Sequence, residues 1–162
     1  KQNGVDLGKE RIIDGKNGCQ LHLIPNDIGI SLELTRFGIH EPVTTQIVQE
    51  KLKEGMICLD CGGNIGYYAT IESKLVGKTG KVIAIEPSPV NVNYLEKNLE
   101  LQGQDNYEVH NLACGDTDEE ITFVIRNISN MCRVAKEGEI ESGDKKFVKI
   151  PVKKLDTFLS NF

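Results

Sequence analysis

The 162 residues contain no apolar run approaching the ~20 needed to cross a bilayer. The opening residues, KQNGVDLGKERIIDG, lack the apolar core of a secretory signal. A cytoplasmic protein without a membrane partner is therefore expected. Positive charge is also short: the net charge is −5, which argues against a broad nucleic-acid footprint. There is no internal repeat, low-complexity block or obvious linker. The five cysteines form no dense framework, which argues against disulfide stapling. Cys58 and Cys61 do make a C-x-x-C, but Cys58 lies in an apolar run where residues three apart point to opposite sheet faces. No second ligand pair for zinc accompanies them. The three histidines, His22, His40 and His110, are scattered, and no metal cluster is expected. A single soluble domain is the natural prior at this length.

What is present centres on residues 55–87, GMICLDCGGNIGYYATIESKLVGKTGKVIAIEP. An apolar run at 56–59 ends in Asp60, and the glycine-rich turn 61–66 follows directly. Then come an amphipathic segment, a second apolar run at 82–85, and Glu86. Strand, glycine turn, helix and a second strand with an acid at its end make half of a nucleotide-binding α/β unit.

Around it, 11–24 reads as a hairpin, with turn pairs Asp14-Gly15 and Asn17-Gly18 and alternating Cys19, Leu21 and Leu23. The stretch DIGISLELTRFGIHEP fits either a strand, through Ile30, Leu32 and Leu34, or a short helix. From Pro42 a helix is expected, with Val43, Ile47, Val48 and Leu52 on its inner face and Gly55 as its stop. The strand at 56–59 is expected to be covered on both faces. A helix is expected over 64–76, with Tyr68, Ile71 and Leu75 inward and Gly77 closing it. Tyr67 and Tyr68 are expected to pack rather than touch ligand. Ser88 and Pro89 open a further helix with Val92, Leu95 and Leu99 inward, before a third strand at 107–112. Beyond Asp116 the β-α rhythm stops. Residues 121–125 and 147–152 suit an antiparallel pair, 127–143 a loop, and 155–162 a short helix.

The acid at position 60 discriminates between ligands. A dinucleotide site holds a pyrophosphate anion at the helix start, which a carboxylate would oppose. S-adenosylmethionine carries an ammonium and a sulfonium and no phosphate, so Asp60 suits it better. Gly62 and Gly66, with Gly63 between, allow close backbone approach. Glu86 is placed to accept both ribose hydroxyls. Asn111 and the backbone at Leu112 and Ala113 are candidates for the adenine edge.

The blocks LDCGGNIGYY, IEPSPVNVNYLEKNLELQG, NLACGD and IPVKKLDTFL, with the lead-in before them, resemble the FkbM-type methyltransferases. The resemblance implies a Rossmann-like class I methyltransferase fold, α/β with a parallel sheet and flanking helices. It implies S-adenosylmethionine as donor and O-methylation of a hydroxyl on a sugar or other small metabolite. The family's cofactor positions fall on Asp60, Gly62, Asn64, Gly66 and Glu86, then Asn111 and Ala113. The family's later Asp-Val-Glu-Gly strand has no counterpart here, so an amino-terminal part with the sheet cut short is expected. On this view 1–54 is a lead-in of hairpin and helix, and 55–162 the incomplete cofactor-binding domain. His40 and Glu41 are pocket-lining candidates through the resemblance alone, and no catalytic base is assigned. The alternatives are an NAD-dependent oxidoreductase and a non-catalytic assembly module. An exposed sheet edge would pair two copies under any of them.

Overall fold

A computed structural model of the chain describes residues 7–143 and 145–160. The hairpin is present as β1 (Arg11–Asp14) and β2 (Gln20–Leu23), antiparallel with Asp14 opposite Gln20. Its alternation works as expected: Leu21 and Leu23 are fully buried. The ambiguous stretch is a helix, α1 (Ile30–Phe37). Ile30 and Leu34, four residues apart, face inward, and left-handed Gly38 ends the helix.

The next helix, α2 (Pro42–Lys51), starts at the expected proline but presents a different face. Val43 is 73% exposed and Ile47 50%. The inner stripe is instead Thr45, Val48 and Leu52. Thr45 wins the buried position because its hydroxyl donates to His40 O at 2.7 Å and meets the Tyr67 hydroxyl at 3.1 Å. A hydrophobicity pattern does not see such bonds.

The core is a three-stranded parallel sheet in the order β3-β4-β5. It comprises β3 (Ile57–Cys61), β4 (Lys81–Ile85) and β5 (Tyr107–His110), with Asp60 beside Ala84 and Ala84 beside Val109. Strand β4 is central, and Val82, Ile83, Ala84 and Ile85 are all buried. The expectation of full cover fails for β3. It is the edge of this sheet, and Ile57 on its outer face is 73% exposed. Its other face, at Cys58, packs under α3 (Tyr67–Val76) and α4 (Pro89–Leu101), through Ala69, Val76, Leu95 and Leu99. Full burial of one such leucine is worth about 1.5–3 kcal/mol. Within α3, Tyr67 is buried, while Tyr68 and Leu75 are only partly so.

Asn98, fully buried on α4, ties the lead-in to this layer. Its side chain accepts from His22 N at 2.6 Å and donates to His22 O at 3.1 Å and Ile65 O at 2.7 Å. Hairpin, α1 and the start of α3 consequently share one cluster of buried side chains.

The remaining chain forms a second sheet in the order β6-β9-β7-β8. Its strands are β6 (Ala113–Cys114), β7 (Glu119–Ile125), β8 (Arg133–Val134) and β9 (Lys146–Lys153). β7 and β9 are antiparallel, as expected, with Ile121 opposite Ile150. The final helix, α5 (Leu155–Leu159), covers the opposite face of the parallel sheet through Phe158 on Ile83 and Ile85. The expected end of that helix, at 161 and 162, lies outside the described residues. No described helix is long and apolar enough to cross a membrane.

Candidate cofactor site

The carboxyl ends of β3 and β4 open onto the glycine turn. Three residues of the turn have positive φ: Gly62 (90°), Asn64 (49°) and Gly66 (85°). A β-carbon on Gly62 would meet nothing within 4 Å, so the backbone there borders open space. On Gly66 it would lie 3.2 Å from Leu95 Cα, so that glycine serves the close approach of α4.

The turn's amides are occupied within the protein. Gly62 N and Gly63 N both donate to Ile85 O, at 2.8 and 3.0 Å. Asn64 N donates to Glu86 Oε2 at 2.9 Å, and Gly66 N to Gly63 O at 2.7 Å. A nest of free N–H groups, which a pyrophosphate would need, is missing at these four positions.

Acceptors, by contrast, are in excess. Asp60 Oδ2 and Asn64 Oδ1 are buried without a hydrogen-bond partner among the described residues. Burial, then the charge of Glu86, pushes the Asp60 carboxyl up to about 6, against a backbone hydrogen bond from Ala69. Glu72, on α3, is pushed up to about 8 by burial and then by Asp60. The turn therefore offers unsatisfied oxygens and unfavourable negative charge, which a ligand with a cationic donor relieves. S-adenosylmethionine, with its ammonium and sulfonium, fits this set.

Glu86 is 5% exposed. It accepts from Asn64 N, from Ser88 N at 2.8 Å and from Asn91 Nδ2 at 3.2 Å. Burial raises its pKa while these three bonds oppose the rise. A carboxylate has about four acceptor sites, so this geometry leaves room for one further donor rather than two ribose hydroxyls. Asn111 Nδ2 donates to Glu86 O at 2.9 Å and Pro87 O at 3.0 Å, tying down the end of β4. Ala113 sits in β6 beside Val152.

A cavity of ≈ 300 Å³ lies over Gly62, Asn64 and Glu86. Of the residues expected from the sequence, Asp60, Gly66, Asn111 and Ala113 do not line it; Asp60 is buried behind the turn, its Oδ2 facing Gly63. The cavity's remaining wall includes Asn91, Phe123, Ser129, Asn130 and Cys132, none of them singled out by sequence reasoning. Asn91 had a readable cue, being in the first turn of a helix capped by Ser88 just after the acid. The others had none, because they come from strand β7 and the loop after it, distant in sequence.

His40 Nδ1 lies 2.7 Å from Glu33 Oε2 and Nε2 3.7 Å from Glu41 Oε1, so both ring nitrogens face carboxylates. The C-x-x-C does not pair: Cys58 is buried, while Cys61 is exposed with its sulfur 3.9 Å from that of Cys114. Burial first, then neighbouring groups, pushes both Cys58 and Cys61 up to about 11, far from a reactive thiolate.

The model of the methyltransferase FkbM domain matches residues 60–162, more than half the chain. The chain belongs to the FkbM methyltransferase family. S-adenosylmethionine is the methyl donor of such FkbM enzymes, in keeping with the excess of acceptors at the turn. The protein-L-isoaspartate O-methyltransferase of Methanococcoides burtonii is 39% identical over 122 residues, covering 67% of this chain and 57% of that protein. The enzyme of the same name from Methanothrix thermoacetophila is 43% identical over 49 residues, 30% of this chain and 23% of that one. The FkbM chain thus spans less than two thirds of either relative's length. A solved Pyrococcus horikoshii protein described as a transferase superposes with a TM-score of 0.50 at 18% identity, over 68% of this chain and 38% of its own. That likeness concerns the fold alone, an α/β arrangement around a parallel sheet.

Proposed function

We propose that the protein transfers a methyl group from S-adenosylmethionine to a hydroxyl of a sugar or other small metabolite. The observation that carries the cofactor half is the pairing of orphaned acceptors, Asp60 Oδ2 and Asn64 Oδ1, with turn amides already in use. Asp60 and Asn64 receive the cationic end, Gly62 and Gly66 allow the backbone to approach, and Glu86 takes a ribose hydroxyl. Asn111 acts through the backbone of Glu86 and Pro87, with Ala113 in the adjoining strand. When bound, the cofactor supplies an electrophilic methyl, and the chain's work is alignment and exclusion of water. Residues 1–54 serve as a lead-in to the cofactor-binding part, 55–162, with the hairpin and α1 packed against the start of α3.

O-methylation is supported by relatives named O-methyltransferases, and the sugar or metabolite acceptor by the family resemblance. Net charge −5 disfavours a nucleic-acid acceptor. Release of S-adenosylhomocysteine is expected with polyhydroxylated small molecules and not with an isoaspartyl peptide. The reverse pattern would replace the acceptor while keeping the cofactor.

Two copies are proposed to pair along β3, whose outer edge is unpaired among the described residues and carries exposed Met56 and Ile57. Light scattering on this chain is expected to give twice the monomer mass at high concentration, and a concentration-independent monomer contradicts the pairing.

A further inference from the structure

The far wall of the cavity comes from residues 126–132, which join β7 to β8. Pairing of Phe123 with Val134 and Val124 with Arg133 turns this segment back on itself. Ser129 within it is only 5% exposed. Its N and Oγ donate to Asp27 Oδ1 and Oδ2, each at 3.0 Å. Asp27 is itself 1% exposed and also accepts from Gly29 N and Ser31 N, both at 2.9 Å. These four donors fill the carboxylate's acceptor sites. The same group thereby fixes the start of α1 and a loop 102 residues away.

On its other side, Ser129 O accepts from Asn91 Nδ2 at 3.2 Å, and that amide also donates to Glu86 Oε1. Asp27, Ser129, Asn91 and Glu86 therefore form an unbroken buried polar chain. Gly29 provides the seat: a β-carbon there would stand 2.7 Å from Asn130 Oδ1 and 3.2 Å from Ile128 Cγ2.

We propose that residues 126–132 are a strap across the cofactor cavity, latched by Asp27 through Ser129, and that Asp27 is a positioning residue for Glu86 by way of Asn91. The cofactor part of this rests on the function proposed above; the latch itself does not. Opening the strap breaks two bonds to a buried carboxylate while the two bonds to α1 persist. Opening is accordingly a local event, rarer than loop fraying and commoner than global unfolding. A ligand beneath the strap is trapped until the latch releases, and Glu86 loses one of its three donors' anchors when it does.

Cys132 reports the strap's position, because it is half-buried in the strap and lines the cavity. Exposed Cys114 controls for reagent, and buried Cys58 for unfolding. The test is the rate of iodoacetamide alkylation at each cysteine, resolved by peptide mass spectrometry. It compares wild type, Asp27→Asn, Ser129→Ala and Ser129→Thr, with and without S-adenosylhomocysteine. Cys132 is expected to react about tenfold or more faster in Ser129→Ala, from loss of a hydrogen bond to the Asp27 carboxyl, and at least as much faster in Asp27→Asn, where loss of a neighbouring acid that raises the Cys132 thiol adds to the effect. Cys58 and Cys114 are expected to keep their rates, and Ser129→Thr, which retains both donors, to stay near wild type. S-adenosylhomocysteine is expected to slow Cys132 in wild type and to bind about tenfold more weakly to the two latch variants. Cys132 rates within twofold of wild type in both variants overturn the strap, as does Cys58 accelerating in step with Cys132. Failure of S-adenosylhomocysteine to slow Cys132 in wild type overturns the cofactor function instead, since the ligand-free rates alone decide the latch.

Discussion

Replacing Asp60 with asparagine is expected to weaken S-adenosylhomocysteine binding about ten- to hundredfold at pH 8 while making the ligand-free protein more stable. The two effects have one origin. Asp60 is buried near Glu86, and its folded-state carboxyl is pushed up to about 6 from an ordinary value of 3.8. The folded chain therefore holds a proton that the unfolded chain has released. That contribution to stability is fully present below about pH 4 and is lost as pH rises through 6. Above pH 7 the ionised carboxylate strains the empty site, and asparagine removes the strain. An ammonium reverses the balance, because a charge-assisted hydrogen bond to the carboxylate is worth about 1.5–3 kcal/mol. In wild type, affinity is expected to climb with pH between about 5 and 7 and then level off. In Asp60→Asn the rise should be shallower, since the proton on Asp60 itself is gone and only neighbouring Glu72 still titrates in that range. Calorimetry across that pH range, with thermal melts of the free protein, reads both effects. Unchanged affinity at pH 8, or an equally steep pH dependence in the variant, rules out Asp60 as the ammonium's partner.

Glu86→Ala is expected to lose both binding and stability. The carboxylate satisfies Asn64 N, Ser88 N and Asn91 Nδ2. Removing it strands three buried donors at about 1–3 kcal/mol each, part of which water entering the cavity will repay, leaving a net cost of about 3 kcal/mol. The bond to Asn64 also helps to hold that residue at φ 49°, a left-handed conformation that asparagine tolerates better than most side chains but does not prefer. Without it the turn relaxes, and affinity for S-adenosylhomocysteine is expected to fall more than about a hundredfold. Urea unfolding and calorimetry measure the two losses. A variant that keeps its stability within about 0.5 kcal/mol and its affinity within twofold contradicts the part given to Glu86.

The contrast with Asp60 is instructive, because both acids lie beside one turn. Asp60 has too few partners and gains from a ligand; Glu86 is nearly saturated and gains little alone. The first behaves as a recognition group, the second as a frame that also accepts one bond.

Where local chemistry decides structure, the chain was readable. Four successive apolar residues made β4, Ser88 and Pro89 opened α4, and alternation in the hairpin put Leu21 and Leu23 inside. The turn glycines, Asp60 and Glu86 were legible because strand, turn and acid lie close in sequence. Other features depended on distant partners. Ile30, Leu32 and Leu34 alternate as in a strand, yet 30 and 34 also share a helical face, so pattern alone could not choose. The inner face of α2 turned on a hydroxyl pair between Thr45 and Tyr67, 22 residues apart. β3 read as a covered strand because apolar content does not reveal which strand stands at the edge. The cavity's far wall was invisible for the same reason: Ser129 lies in a polar segment whose burial depends on Asp27.

The central claim is that the turn selects a positively charged nucleoside over a phosphorylated one, and the direct measurement is titration of this chain with S-adenosylhomocysteine and, separately, with NAD at pH 8. Binding of S-adenosylhomocysteine, with no heat from NAD, is the expected result. Saturable binding of NAD without binding of S-adenosylhomocysteine would contradict the account.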